Sequence, residues 1–203
     1  MEKFYTDENG NVTIVNTYAG VRGGWSVELN KPMPNVTYNV VAQVDGGLQN
    51  TFTLKMDNNG HLASAKGHIV STLVGDANRN GYQQRKAGWL GGRGYDGGHA
   101  APSALGFIGE RGGIFPPQHE WQNRKAGTPN EIDEANNFHD TEMEVIARVK
   151  NDLTEGMPVD LQWEMELVPP GHRAGLPNNL QLEYRFGHEE WQDFEFNNLN
   201  KEG

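Results

Sequence analysis

The side chain most suited to chemistry in this chain is His99, which follows Asp96-Gly97-Gly98 and precedes Ala100-Ala101-Pro102. An imidazole of suitable pKa can take a proton from water as that water attacks a phosphodiester. Asn123 lies 24 residues further on, after Phe115-Pro116-Pro117-Gln118. Its amide offers an uncharged oxygen to a hard cation such as Mg2+, which otherwise keeps most of its waters. A general base and a metal ligand brought together by a β-hairpin and a helix form a minimal hydrolytic site. There the cation would bind phosphate oxygens and stabilise the leaving oxygen, and a nearby arginine would offset transition-state charge. Singly, each element is weak, because a histidine in a glycine-rich loop is more often just a loop residue and a lone asparagine more often a helix cap. Their order and spacing carry the reading.

Charge agrees with that location. The chain of 203 residues has a formal net charge of -10, unfavourable for binding phosphate. Residues 76–126 differ from the rest. Arg79, Arg85, Lys86, Arg93, Arg111, Arg124 and Lys125 face only Asp76, Asp96, Glu110 and Glu120, so this stretch is +3 and the remainder -13. A positive patch on an acidic body can bind phosphate locally. The chain has no cysteine, which excludes disulfides, thiolate zinc sites and cysteine nucleophiles. No apolar run reaches membrane-spanning length, so no membrane partner is expected.

The elements that must position these residues are partly legible. Residues 1–33 read as a lead-in or linker, with turn signals at Asp7-Glu8-Asn9-Gly10-Asn11 and punctuation by Pro32 and Pro34. Residues 34–203 then form the domain. Over 36–73 the alternation of Phe52, Leu54 and Met56 with polar residues, and the turn Asp57-Asn58-Asn59-Gly60, predict an antiparallel meander. Residues 74–118 are broken up by twelve glycines and show no clear period, which for so long a stretch indicates a functional or disordered segment. Phe138, Val145, Ile146, Val149 and Leu153 predict an amphipathic helix over 138–153. Alternating strands follow from Val159 to Leu167 and from Leu180 to Phe186. The fold class is therefore α+β.

Residues 74–123 resemble the bacterial DNA/RNA non-specific endonucleases, a family with the ββα-metal (His-Me finger) core. The blocks that carry the resemblance are Arg79-Asn80-Gly81-Tyr82-Gln83-Gln84, Asp96-Gly97-Gly98-His99, Pro117-Gln118 and Asn123-Arg124. The lead-in Leu29-Asn30-Lys31-Pro32 and the helix and strand over 142–168 are similar to the branch found at the ends of large bacterial toxins. The resemblance implies an antiparallel β-meander leading into a ββα-metal core, with His99 as general base, Asn123 as direct metal ligand and Asp96 ordering the loop. The family also places a glutamate near the metal, acting through water. Spacing from Asn123 points to Glu131, whereas the pattern Phe138-x-x-x-Glu142 points to Glu142. Glu142 is preferred because Gly127-Thr128-Pro129 would break a helix begun at Asn123. With an earlier insertion, Asn136 or Asn137 becomes the ligand. Gln83, Arg85, Gln118 and Arg124, in or beside the matching blocks, are the candidate substrate contacts.

Three departures from the family bear on chemistry. Gly97 stands where many members carry arginine, so transition-state charge falls to Arg79 or Arg93. Ile114 stands where many members carry asparagine, and the Gly-Ala-Trp that usually follows the helix asparagine is absent. The implied activity is hydrolysis of DNA, with RNA as the further candidate substrate, and with Mg2+ as cofactor and Mn2+ as substitute. The implied setting is a secreted effector, or a larger bacterial effector delivered into a target cell and held in check by an immunity protein. The alternatives are an inactive binding or adhesion module of the same fold and a secreted scavenging nuclease. His119-Glu120 and His139-Asp140 lack the histidine spacing of a zinc helix and read as solvated pairs. Of the five tryptophans, Trp89 and Trp121 flank the motif and are candidates for stacking on substrate.

Overall fold

The computed structural model describes residues 4–6, 8, 12–21, 23–73, 79–115, 117–124, 137–168 and 177–198. In chain order its elements are β1 (Phe4–Thr6), β2 (Val12–Tyr18), β3 (Thr37–Gln43), β4 (Gln49–Met56), β5 (Leu62–Ile69), α1 (Gly81–Trp89), β6 (Tyr95–Asp96), β7 (Gln118–His119), α2 (Glu120–Asn123), α3 (Phe138–Thr154), β8 (Leu161–Leu167), β9 (Asn179–Phe186) and β10 (Gln192–Asn197). Eight strands make one sheet in the order β1-β2-β3-β4-β5-β8-β9-β10, and β6 with β7 makes a small second sheet.

Side-chain alternation builds the large sheet. In β4, Asn50, Phe52, Leu54 and Met56 point into the core while Gln49, Thr51, Thr53 and Lys55 face out. The turn after β4 is held by Asp57, whose Oδ1 accepts from the backbone N–H groups of Asn59 and His61, both at 2.8 Å. β3, β4 and β5 therefore form the expected antiparallel meander. β8 extends it antiparallel to β5, and β9 and β10 follow.

The sheet is mixed rather than wholly antiparallel, because β2 pairs with β3 in parallel register, Val15 opposite Val40. The stretch read from sequence as a lead-in thus contributes β1 and β2 to the sheet. Val15, Ala19 and Leu29 in it are buried with the core. Glu110, wholly buried in the loop before β7, fixes this stretch from the other side. It accepts from the Thr17 hydroxyl at 2.5 Å and the Ser26 N–H at 2.8 Å, while burial pushes its carboxyl above the usual carboxylate range.

The chain between β5 and β8 lies against the inner face of the sheet. Phe52 meets Phe107 edge-on with centroids 4.8 Å apart, and Phe138 at the start of α3 packs on Phe115, Trp163 and Phe196. Trp163, buried in β8, donates its indole N–H to the carbonyl of Ala100 at 2.8 Å. The residue after His99 is thereby tied to the middle of the sheet. Asn50 does the same for the loop beyond it. Its amide donates to the carbonyls of Ser71 and Leu105 at 3.0 and 2.8 Å and accepts from the N–H of Val70 at 2.9 Å. No helix among the described residues is long and apolar enough to cross a membrane.

Candidate active site

His99 sits on a β-ribbon that begins at β6. Tyr95 pairs with His119 and Asp96 with Gln118. Further along, Phe115 N–H donates to Gly98 O at 2.8 Å, Ala100 N–H donates to Gly113 O at 3.1 Å, and His99 bridges Ile114. The register slips by one residue between the two ends of the ribbon, at Gly97-Gly98 on one side. β7 runs directly into α2, whose last residue is Asn123. Two short antiparallel strands and a one-turn helix therefore bring His99 and Asn123, 24 residues apart in sequence, to one place.

Close approach of backbone at one glycine and of side chains at the other leaves no room for a Cβ at either. A Cβ on Gly97 would stand 2.2 Å from the carbonyl oxygen of Gln84 in α1. A Cβ on Gly98 would stand 1.5 Å from Gln118 Oε1 and 2.8 Å from Asn123 Oδ1. α1 packs directly on the ribbon, and no side chain fits at position 97. The arginine that the nucleases resembled in sequence often carry there would not fit at this position.

His99 is nearly fully buried, and burial first, with the Arg79 guanidinium second, lowers its pKa to about 4. The ring is thus uncharged at neutral pH and able to take a proton. Its Nε2 is buried and has no hydrogen-bond partner among the described residues, while Nδ1 lies 3.4 Å from Gln84 Nε2. Gln84 Nε2 also donates to Gly97 O at 3.1 Å. The orientation of this amide sets the tautomer. For Nε2 to accept a proton, Nδ1 must carry the ring's own, and Gln84 would receive it through Oε1 after a half-turn of its amide.

Asn123 is oriented by Asp96. Its Nδ2 donates to Asp96 Oδ2 at 3.1 Å, leaving Oδ1 facing Gly98. Asp96 also receives Arg124 in a fork, from Nε at 2.8 Å and from Nη2 at 2.9 Å. Glu142, in the second turn of α3, is partly buried. Loss of solvation raises its pKa to about 8 against an opposing pull from Arg79. Arg79 therefore acts electrostatically on both His99 and Glu142. Arg79, Gln84, Arg85, Trp89, Asp96, Asn123 and Arg124 are among the residues lining an open cleft of about 430 Å³.

The other expected residues fall elsewhere. Arg93 is exposed on the turn between α1 and β6 and does not line this cleft. Gln83 does not line it, whereas its neighbour Gln84, about 100° round the helix, does. Gln118 is wholly buried beneath Gly98, with neither amide atom partnered among the described residues, so its side chain is not at the cleft surface. Glu131, Lys125 and Asn136 lie outside the described residues, as does the side chain of Trp121. Asn137 caps α3, accepting from the Asp140 N–H at 3.2 Å, and is engaged as a cap rather than as a ligand. His119 is buried edge-on against Tyr95, with centroids 5.2 Å apart, and is not the solvated side chain expected from sequence. His139 pairs with Asp140 at 3.2 Å.

Several contributors were not visible in the sequence. Gln84, which lies 3.4 Å from His99 Nδ1, is in the matching block but has no sequence signal for that contact. Asn198 accepts from the His119 N–H at 2.7 Å and donates to the carbonyls of Pro117 and Pro177, anchoring β7 to the sheet edge. Gln122 in α2 accepts from the Phe138 N–H at 3.0 Å and so fixes where α3 begins.

No three His, Asp or Glu side chains converge among the described residues. Any ion here would be held by the Asn123 amide oxygen and mostly by water. That donor set suits Mg2+ rather than zinc. The unpartnered nitrogen of His99 and the amide oxygen of Asn123 facing Gly98 fit such a hydrated cation.

No family model matches the chain, and no curated protein matches it. Solved structures share its fold, among them two of one protein. One is NucA from Streptococcus agalactiae with no metal bound, at a TM-score of 0.51 and 13% identity, the match covering 84% of this chain and 78% of that one. The other is NucA from Streptococcus agalactiae with magnesium ion bound, at a TM-score of 0.53 and 13% identity, covering 78% of this chain and 75% of that one. The chain is thus similar to NucA in fold: a mixed-sheet α+β protein of the same overall arrangement.

Proposed function

We propose that this chain is a metal-dependent endonuclease that hydrolyses phosphodiester bonds of DNA, and of RNA, without strong sequence preference, and that β6, β7 and α2 form its ββα-metal core. The observation that carries the proposal is a buried, uncharged His99 whose Nε2 has no partner, beside a cleft where Asn123, Asp96 and Arg79 converge. The fold likeness to NucA, known with a magnesium ion bound, supports the same reading.

In this mechanism His99 Nε2 takes the proton of the attacking water, and Gln84, its amide turned so that Oε1 accepts from Nδ1–H, holds the ring in the tautomer that leaves Nε2 free. Asn123 Oδ1 would hold Mg2+, or Mn2+ in its place, with Glu142 acting through a bound water. When bound, the cation polarises the scissile phosphate and stabilises the leaving oxygen. Asp96 holds Asn123 in its ligating orientation. Arg79 meets the phosphate's negative charge in place of the motif arginine that Gly97 excludes. Arg85 and Arg124 bind flanking phosphates. Delivery into a competing cell, and restraint by an immunity protein, belong to the same proposal and rest on the sequence resemblance.

The test is plasmid nicking by purified protein with Mg2+, with chelator, and by an Asn123→Ala variant, alongside calorimetric titration with Mg2+. The reading expects cleavage and weak ion binding, both lost in Asn123→Ala. A variant that binds Mg2+ and nicks plasmid as the wild type does removes Asn123 from the role given to it.

A further inference from the structure

α1 buries little for a nine-residue helix. Only Ala87 and Gly88 are buried, while Tyr82 and Trp89 are 62% and 72% exposed. These two rings are seven residues apart, two helical turns, so they share one face and stand about 10 Å apart along the axis. Arg85 and Lys86, both exposed, lie between them on that face, at three and four residues from Tyr82. From Arg79 to Tyr95 the chain holds four basic residues and no Asp or Glu, in a protein of net charge -10. The face is continuous with the candidate active site, since Arg79, Arg85 and Trp89 line the same cleft as Asp96 and Asn123.

Exposed aromatic rings alternating with cations suit a polyanion that carries flat apolar faces. Nucleic acid is such a polymer, and its bases offer those faces only when unpaired, because in a duplex each face is covered by its neighbours in the stack. We propose that the outer face of α1 is a platform for single-stranded nucleic acid. Bases stack on Tyr82 and Trp89, Arg85 and Lys86 hold the phosphates between them, and the strand is led past Trp89 into the cleft beside His99. The proposal names the preferred form of substrate for the endonuclease proposed above, duplex plasmid being the weaker one, and rests on that reading for the direction of the strand.

The experiment measures binding without cleavage, so that a failure of catalysis and a failure of this platform are separable. His99→Ala protein in chelator is titrated with fluorescein-labelled single-stranded DNA of twelve nucleotides, a matched RNA, the corresponding DNA duplex, and a strand of the same length with abasic sites. The platform predicts single strands bound at least roughly tenfold more tightly than duplex, the usual weight of one stacked base. It predicts a comparable loss for Trp89→Ala and for the abasic strand, with Trp89→Phe close to the parent. Comparing the DNA and RNA arms identifies which single strand is preferred. Circular dichroism confirms the fold of each variant, and none is expected to be disturbed because both rings are exposed. Equal or tighter duplex binding overturns the proposal, as does single-strand affinity indifferent to Trp89→Ala and to base removal. Absence of binding to any of the four also overturns it and points to a protein partner for this face. Full binding by a protein that never cleaves leaves the platform standing and removes the catalytic reading.

Discussion

Replacing Gly97 by alanine or by arginine tests the packing of α1 on the ribbon that carries His99. The added Cβ would lie 2.2 Å from the Gln84 carbonyl oxygen and 2.8 Å from its Cα and carbonyl carbon. Because these are backbone atoms, no rotamer change relieves the contact. Restoring van der Waals separation requires α1 and β6 to move apart by about 1 Å. Overpacking of this kind costs about 1–3 kcal/mol, and with backbone on both sides the expected loss is at the upper end, about 3 kcal/mol. The same movement displaces Gln84 from His99 Nδ1, a contact of 3.4 Å, and opens the cleft. A misplacement of that size costs roughly a hundredfold in rate. Urea unfolding of wild type, Gly97→Ala and Gly97→Arg, with plasmid nicking on each, measures both effects. The arginine variant, although it introduces the residue common at this position in the nucleases the sequence resembles, is expected to be no more active than alanine. An arginine variant as stable as wild type and more active would refute the argument that the site is built around an absent side chain.

Three further outcomes follow from the geometry. His99 must be uncharged to act as base, and its pKa of about 4 lies below the ordinary histidine value, so activity should hold down to pH 5, where about nine-tenths of the rings remain neutral, and fall near pH 4. An acid limb centred near 6.5 contradicts the burial argument, and a Gln84→Glu variant, placing a carboxylate beside Nδ1, should move the limb upward. Asp96→Ala should raise the Mg2+ needed for half-maximal nicking by about tenfold, the usual weight of an orienting contact, yet alter stability by less than about 1 kcal/mol because its partner Arg124 is exposed; an unchanged Mg2+ requirement contradicts the orienting role. Trp163→Phe leaves the Ala100 carbonyl without its 2.8 Å donor in the core and should cost about 2 kcal/mol in urea unfolding; a change within 0.5 kcal/mol, about the scatter of surface substitutions, denies that bond its place in holding the loop after His99.

The sequence was most legible where burial is periodic. β3 to β5, α3, β8 and β9 follow from alternation or a helical stripe, because each packs one face on a common core. α1 escaped notice because it buries only Ala87 and Gly88 and so has no apolar stripe, although Asn80 as cap before Gln83-Gln84-Arg85-Lys86-Ala87 is a helix signal. β2 escaped because its partner β3 is parallel, and turn residues around it masked an alternation in which Val15 and Thr17 are buried. At the site, the order Asp96, His99, Asn123 was readable as a motif. What the motif could not give was the neighbour of each group: Gln84 rather than Gln83 beside the ring, Arg79 rather than Arg93 at the cleft, and Gln118 under Gly98 instead of at the surface. These depend on which face of a short helix or ribbon meets another element, a tertiary fact with no local signature.

The central claim is that a neutral His99 takes a proton from water beside a hydrated cation. Its most direct measurement is the rate of plasmid nicking by His99→Ala and wild type purified side by side, each with Mg2+ and with chelator. The account predicts Mg2+-dependent nicking by wild type and a loss of at least about a hundredfold in the alanine variant at unchanged stability. Equal nicking by the two proteins, or wild-type nicking untouched by chelator, contradicts it.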